Sequence, residues 1–97
     1  MEKVALLARL EARPGKEQEL AEFIKSALPL ALAETNTIHW FALQLGPSTF
    51  GIFDTFENEE GRQSHLSGEI ARALIAKAPE LLIREPLIEP VDLLAIK

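Results

Sequence analysis

Residues 50–68 read FGIFDTFENEEGRQSHLSG, and the fold turns on how this run is read. Phe50, Ile52 and Phe56 alternate with smaller residues, the period-two pattern of a strand. Asp54 falls in the same phase and sets a carboxylate among those apolar side chains. Asn58 then offers a helix N-cap, and Glu59 and Glu60 place negative charge in a first turn, where the helix dipole favours it. The run closes on His65, the side chain best suited to proton transfer near neutral pH. Strand therefore gives way to helix inside this run, with an acid on one and an imidazole on the other.

Working outward, Gly46-Pro47-Ser48 is a turn, and Ile38 to Leu45 is an aromatic and branched stretch that reads as the preceding strand. The two strands are expected to form an antiparallel hairpin. With Leu45 opposite Thr49, Trp40 falls opposite Asp54 and Phe41 opposite Phe53. Trp40 and Asp54 then share a face with Ile38, Ala42, Ile52 and Phe56. A slip of one residue would turn every side chain to the other face.

Toward the N-terminus, Val4, Leu6, Ala8 and Leu10 alternate in a first strand over about residues 3 to 12. Pro14-Gly15 breaks it. Leu20, Phe23, Ile24, Ala27, Leu28 and Ala31 recur at helical spacing, predicting an amphipathic helix over roughly 16 to 34, kinked or divided at Pro29. Glu34-Thr35-Asn36-Thr37 is a polar connector. Toward the C-terminus, a second helical region runs from about Glu59 to Lys77, broken near Ser67-Gly68 and stopped by Ala78-Pro79. Leu87 to Ile96 is a fourth strand, and Pro90 inside it implies an edge position or a bulge.

The order strand, helix, strand, strand, helix, strand predicts an α+β fold: a ferredoxin-like βαββαβ unit with two helical regions on one face of a four-stranded antiparallel sheet. Its 97 residues make one domain, 1–97. In a lone domain of this kind the second sheet face meets water and should be polar. Leu7, Phe41, Leu43, Leu45 and Phe53 make both phases apolar instead. A bare face of that kind exceeds what a soluble monomer usually exposes, so a homodimer is expected.

Composition narrows the chemistry. There is no cysteine, which removes disulfides, thiolate metal sites, iron–sulfur clusters and a Cys nucleophile. The formal charge is −5 and the basic residues are scattered, so neither nucleic acid nor an anionic membrane is an expected partner. No signal peptide or membrane span is evident, and a cytoplasmic protein is the expectation. There is no Gly-rich phosphate loop and no dinucleotide fingerprint, and two distant histidines do not make a metal motif. Any catalysis is therefore expected to be cofactor-free proton transfer in an apolar pocket, or to use a reactive substrate.

The candidates are few. Asp54 beside Trp40 is either the acid of a pocket wall or a structural carboxylate reaching solvent or the indole N–H. His65 lies on the flank of the helix face carrying Leu66, Ile70, Ala73 and Leu74, and either points into a crevice or sits half-exposed. Arg62, one turn earlier, either binds an anion or only pairs with Glu59. His39 alternates with Trp40 and faces the other way.

Four local sequences, in order, carry a resemblance: Arg13-Pro14-Gly15-Lys16, Phe53-Asp54-Thr55-Phe56, Gly61-Arg62-Gln63-Ser64-His65-Leu66, and Ile88-Glu89-Pro90-Val91-Asp92. The chain resembles the antibiotic biosynthesis monooxygenase (ABM) family of dimeric α+β barrels along nearly its whole length. The resemblance implies two sheets forming a barrel across a dimer, with a pocket between sheet and helices in each subunit. It also implies a small oxygenase, free of flavin and metal, that oxidises an electron-rich quinol-like or anthrone-like aromatic. His65 would be the base or a substrate hydrogen-bonding partner, Asp54 would orient or tune it, and Trp40, Phe53 and Phe23 would be walls. The chain has no tyrosine, so any role that relatives give to a phenol is vacant. A dimeric binder of a small apolar metabolite, and a haem-binding or haem-degrading barrel with His65 as axial ligand, are the alternatives.

Overall fold

The computed structural model describes residues 1–97. Its elements are β1 (Val4–Glu11), α1 (Glu17–Ser26), α2 (Leu28–Ala33), β2 (Thr37–Gln44), β3 (Thr49–Phe56), α3 (Glu59–Leu66), α4 (Glu69–Leu81) and β4 (Leu87–Asp92). The strands form one antiparallel sheet in the order β2-β3-β1-β4, the ferredoxin-like arrangement. No helix is long and apolar enough to cross a membrane.

Each helical region is divided where its sequence breaks. α1 ends at Ser26, and Pro29 sits in the first turn of α2, where its missing N–H costs no hydrogen bond. α3 and α4 meet at Ser67-Gly68. The second region does not stop at Pro79, however; α4 runs through it to Leu81. Burial holds that last turn in place: Leu81 and Leu82 are each 2% exposed, and Arg13 ties it to the end of β1 through N–H donation to the Leu81 carbonyl.

The hairpin register has Trp40 opposite Asp54 and Phe41 opposite Phe53. An irregularity between Thr37 and His39 then brings Thr37, rather than Ile38, opposite Phe56, and Ile38 is left exposed. Pro90 lies on the edge strand β4, opposite Leu6. That strand ends at Asp92, short of Ile96, because β1 begins at Val4 and offers no partner beyond the Leu93 N–H to Lys3 carbonyl bond. Leu94 is fully exposed.

The core lies between the helices and one sheet face. Ala8 and Leu10 of β1, Phe50 and Ile52 of β3, Leu20 and Ile24 of α1, and Leu74 and Leu81 of α4 form one buried cluster. Fully burying a Leu, Ile or Phe side chain stabilises the fold by about 1.5–3 kcal/mol. On the opposite sheet face Phe41 and Phe53 stack with ring centroids 6.4 Å apart, and His39 stacks on Phe41. Phe41 and Leu45 are each 48% exposed there.

Candidate active site

The site is built where α3 crosses the sheet. Asn58 caps α3 by accepting the Gly61 N–H at 2.9 Å. Gly61 permits close approach: a Cβ there would lie 3.2 Å from the Asn36 carbonyl oxygen. One turn on, on the same helix face, His65 is carried over β3 and is only 9% exposed. Its ring packs against Phe56, with centroids 5.4 Å apart.

His65 lies between two carboxylates. Nδ1 is 2.7 Å from Glu34 Oε1, and Nε2 is 2.8 Å from Asp54 Oδ2. The Nδ1 contact is a directed hydrogen bond. The Nε2 contact is close but falls outside good hydrogen-bond geometry. Asp54 is 1% exposed, and its Oδ1 has no partner at all. Glu34, at the C-cap of α2, is steadied by the Thr37 hydroxyl, which donates to it at 2.6 Å.

Two recesses meet at this histidine. On the Asp54 side is an apolar cavity of about 90 Å³ between β1, β3 and β4 below and α3 and α4 above, lined by Leu6, Ile52, Ile70, Leu74 and Ile88 among others. On the Glu34 side is a polar recess of about 350 Å³ with Asn36, Thr37, Ser64 and Glu69. His65 lines both and separates them.

Burial is the largest influence on the His65 pKa, and alone it would lower it. Contact and charge from Asp54, then from Glu34, together outweigh burial and raise the pKa from 6.5 to about 9. At neutral pH His65 is thus an imidazolium held between two carboxylates.

The other candidates lie elsewhere. Trp40 packs against the core beside Asp54 across the hairpin, but its indole Nε1 is buried without a partner and is not bonded to Asp54. It does not line the Asp54–His65 cavity. Phe53 is on the other sheet face, stacked on Phe41, because it alternates with Asp54 along β3. Phe23 borders a separate small cavity between α1, α2 and α4. Arg62 donates to the Ala5 and Val91 carbonyls and pairs with Glu59, so its guanidinium is spent on joining α3 to β1 and β4. His39 pairs with Glu2 away from the site.

Glu34 is the residue that sequence reading passes over. It sits in a polar connector, 31 positions before His65, and no local spacing links the two. No three ligating side chains converge as a metal site. Asp54 and Glu34 address opposite nitrogens of one ring, so an axial-ligand role for His65 would require displacing a carboxylate.

The fold and site together define a ferredoxin-like α+β protein with a carboxylate–imidazolium–carboxylate array under its helices. No protein-family model matches the chain, and no curated protein does. Among solved structures, the NE2512 protein of unknown function from Nitrosomonas europaea is 61% identical over 100% of this chain and 94% of its own, with a TM-score of 0.98; this chain belongs to the same family. A provisionally named antibiotic biosynthesis monooxygenase from Nitrosomonas europaea superposes with a TM-score of 0.83 at 10% identity, covering 95% of this chain and 90% of its own. Another from Chloroflexus aurantiacus gives 0.74 at 15%, covering 98% of this chain and 96% of its own. These two likenesses establish a shared fold.

Proposed function

We propose that the chain is a cofactor-independent monooxygenase for an electron-rich, quinol-like or anthrone-like aromatic. One observation carries this reading: Asp54, whose Oδ1 is fully buried and unpartnered, lines an apolar cavity together with His65, whose Nε2 lies 2.8 Å from its Oδ2. Such a pair accepts a proton at Asp54 and stabilises the anion left behind. The roles first assigned are thereby exchanged: Asp54 is the base, and His65, with both nitrogens engaged, is the electrostatic partner.

For an anthrone-like methylene the reaction is R₂CH₂ + O₂ → R₂C=O + H₂O, and it needs no external reductant. Asp54 Oδ1 takes the hydroxyl proton of the aromatic tautomer. The anion passes one electron to O₂, the radical pair joins through a C–O bond, and Asp54 returns its proton to the peroxide. Asp54 then removes the remaining C–H proton as the C=O bond forms and the O–O bond breaks. The hydroxide released takes that proton to leave as water. The array of like and unlike charges keeps its resting state, and the apolar walls keep bulk water from the anion.

A 90 Å³ cavity is smaller than the roughly 150 Å³ that accommodates benzene in a protein interior. It fits O₂ and the reacting edge of a substrate, while the rest of the ring system extends outward. O₂ uptake by metal-free, chelator-treated protein with a panel of quinols and anthrones is the test. Uptake matched by ketone or quinone product is the expected result. Saturable binding with the compound unchanged after long incubation in air would make the chain a binding protein instead.

The same proposal includes a homodimer closed through the open sheet face. The stacked Phe41 and Phe53, together with Leu43 and Leu45, support it, since apolar surface of this kind is usually covered. Light scattering is expected to give twice the chain mass at micromolar concentration. Phe41→Glu should give monomer, and a wild-type monomer would refute the pairing.

A further inference from the structure

The Asp54–His65 cavity shares a wall with a much larger recess. That recess, about 630 Å³, lies between the C-terminal half of α4 and the segment leading into β4. Ile75, Pro86 and Ile88 line both spaces, so the small cavity and the large one adjoin at these three side chains. A volume of 630 Å³ is within the usual range of small-molecule sites, about 300–1,000 Å³, whereas the inner cavity alone is not.

The outer recess is not electrically neutral. Arg13 and Arg84 line it, with Glu85 as the one carboxylate. Arg13 uses its Nε–H on the Pro79 carbonyl at 3.1 Å, which fixes the side chain and leaves its terminal nitrogens without a partner. Arg84 makes no ion pair within the chain. The carboxylate it influences, Glu11, is already occupied by the Ser48 and Thr49 hydroxyls. In a chain of formal charge −5, two guanidiniums without a carboxylate salt-bridge partner in one recess favour a negatively charged group.

We propose that the natural ligand is an aromatic carboxylate: its hydroxyl-bearing edge reaches Asp54, its rings lie along Ile75, Pro86 and Ile88, and its carboxylate is held by Arg13 and Arg84. This rests on the reading of Asp54 and its cavity as the reacting end of the site. The ligand that fits is thus an elongated acid with its reactive hydroxyl and its anionic group at opposite ends, not a neutral quinol.

The test uses 6-hydroxy-2-naphthoate and 2-naphthol, titrated calorimetrically into the full chain at low salt. The naphthoate is expected to bind about tenfold or more tightly than the naphthol, a margin that shrinks as salt is added. Arg84→Gln, which breaks no ion pair or side-chain hydrogen bond within the chain, and Arg13→Gln are each expected to remove most of that margin while leaving naphthol affinity unchanged. Asp54→Asn is expected to weaken both compounds and keep the margin. Ile75→Trp, at an exposed position on the shared wall, should block both.

Equal affinity for the two compounds, or a margin that survives Arg84→Gln and Arg13→Gln, would overturn the anion site and leave the Asp54 cavity standing. A margin that persists while Asp54→Asn changes nothing would instead remove the inner cavity from binding, and with it the proposal. A change of oligomeric state in Arg84→Gln would assign the recess to a second copy of the chain and overturn it as well.

Discussion

Raising the pH from 6.5 to above 9 is expected to remove about 3 kcal/mol of folding stability, nearly all of it through His65. The sign follows from linkage. His65 ionises near 6.5 when unfolded and at about 9 when folded, so the native state holds more protons between those values. The stabilisation is complete below 6.5 and is lost as the pH rises through 9. A shift of 2.5 units, at about 1.4 kcal/mol each, gives the magnitude. For a domain of 97 residues this is roughly a 12–24 °C fall in Tm. Thermal or urea unfolding at fixed protein concentration, at half-unit pH steps, measures it. His65→Gln should flatten the profile across that window. At pH 7 His65→Leu should cost about 3–5 kcal/mol, because Asp54 would stay buried without its counter-charge. Asp54→Asn combined with His65→Leu should recover part of that loss. A wild-type profile that is flat from 6.5 to 9 would show that the imidazolium is not held between the carboxylates.

The same residues show what can be read before a structure is known. The strand at 49–56 and its hairpin partner were legible because alternation, a short turn and one register leave few choices, and Trp40 falls opposite Asp54 as counted. The ferredoxin-like order followed from element type and sequence alone. Helix ends were less legible. Pro79 carries a strong local stop signal, yet the burial of Leu81 and Leu82 outweighs it, and that burial depends on β1, far away in the chain. The fourth strand was overdrawn for a related reason: its apolar pattern continues to Ile96, but its partner strand begins only at Val4.

At the site, Asp54 and His65 stood out by residue type. Their partner Glu34 did not, since it reaches His65 through the packing of α2 against α4 and the turn into β2. Phe53 shows the opposite failure. An aromatic next to an acid in sequence is on the other sheet face by the pleat, and only Trp40 is a true neighbour. Arg62 looked available because Glu59 alone seemed to compete for it, while its main obligations, the Ala5 and Val91 carbonyls, come from two strands remote in sequence.

Asp54→Asn is expected to lower kcat by about 10²–10⁴-fold, the usual range for loss of a positioned base. The amide nearly matches the carboxylate in shape, so the cavity should persist and substrate affinity should change far less than turnover. His65 enters through charge, and this separates its contribution from that of Asp54. As the pH rises through about 9 the imidazolium is lost, and turnover should fall along that limb. Glu34 meets His65 at the far nitrogen and lines the polar recess, so in the proposed reaction it would be a positioning residue. Glu34→Gln removes a charge that raises the His65 pKa, and the alkaline limb should move to lower pH with its plateau nearly intact; Glu34→Asp should restore part of the shift. Rate–pH profiles for the wild type and these variants, set beside His65 titrations followed by ring-nitrogen NMR, test the whole array. Coincident shifts in the two measurements are expected. A kcat unaffected by Asp54→Asn would remove the base, and an alkaline limb that stays fixed while the NMR pKa moves would show that the His65 charge plays no part in turnover.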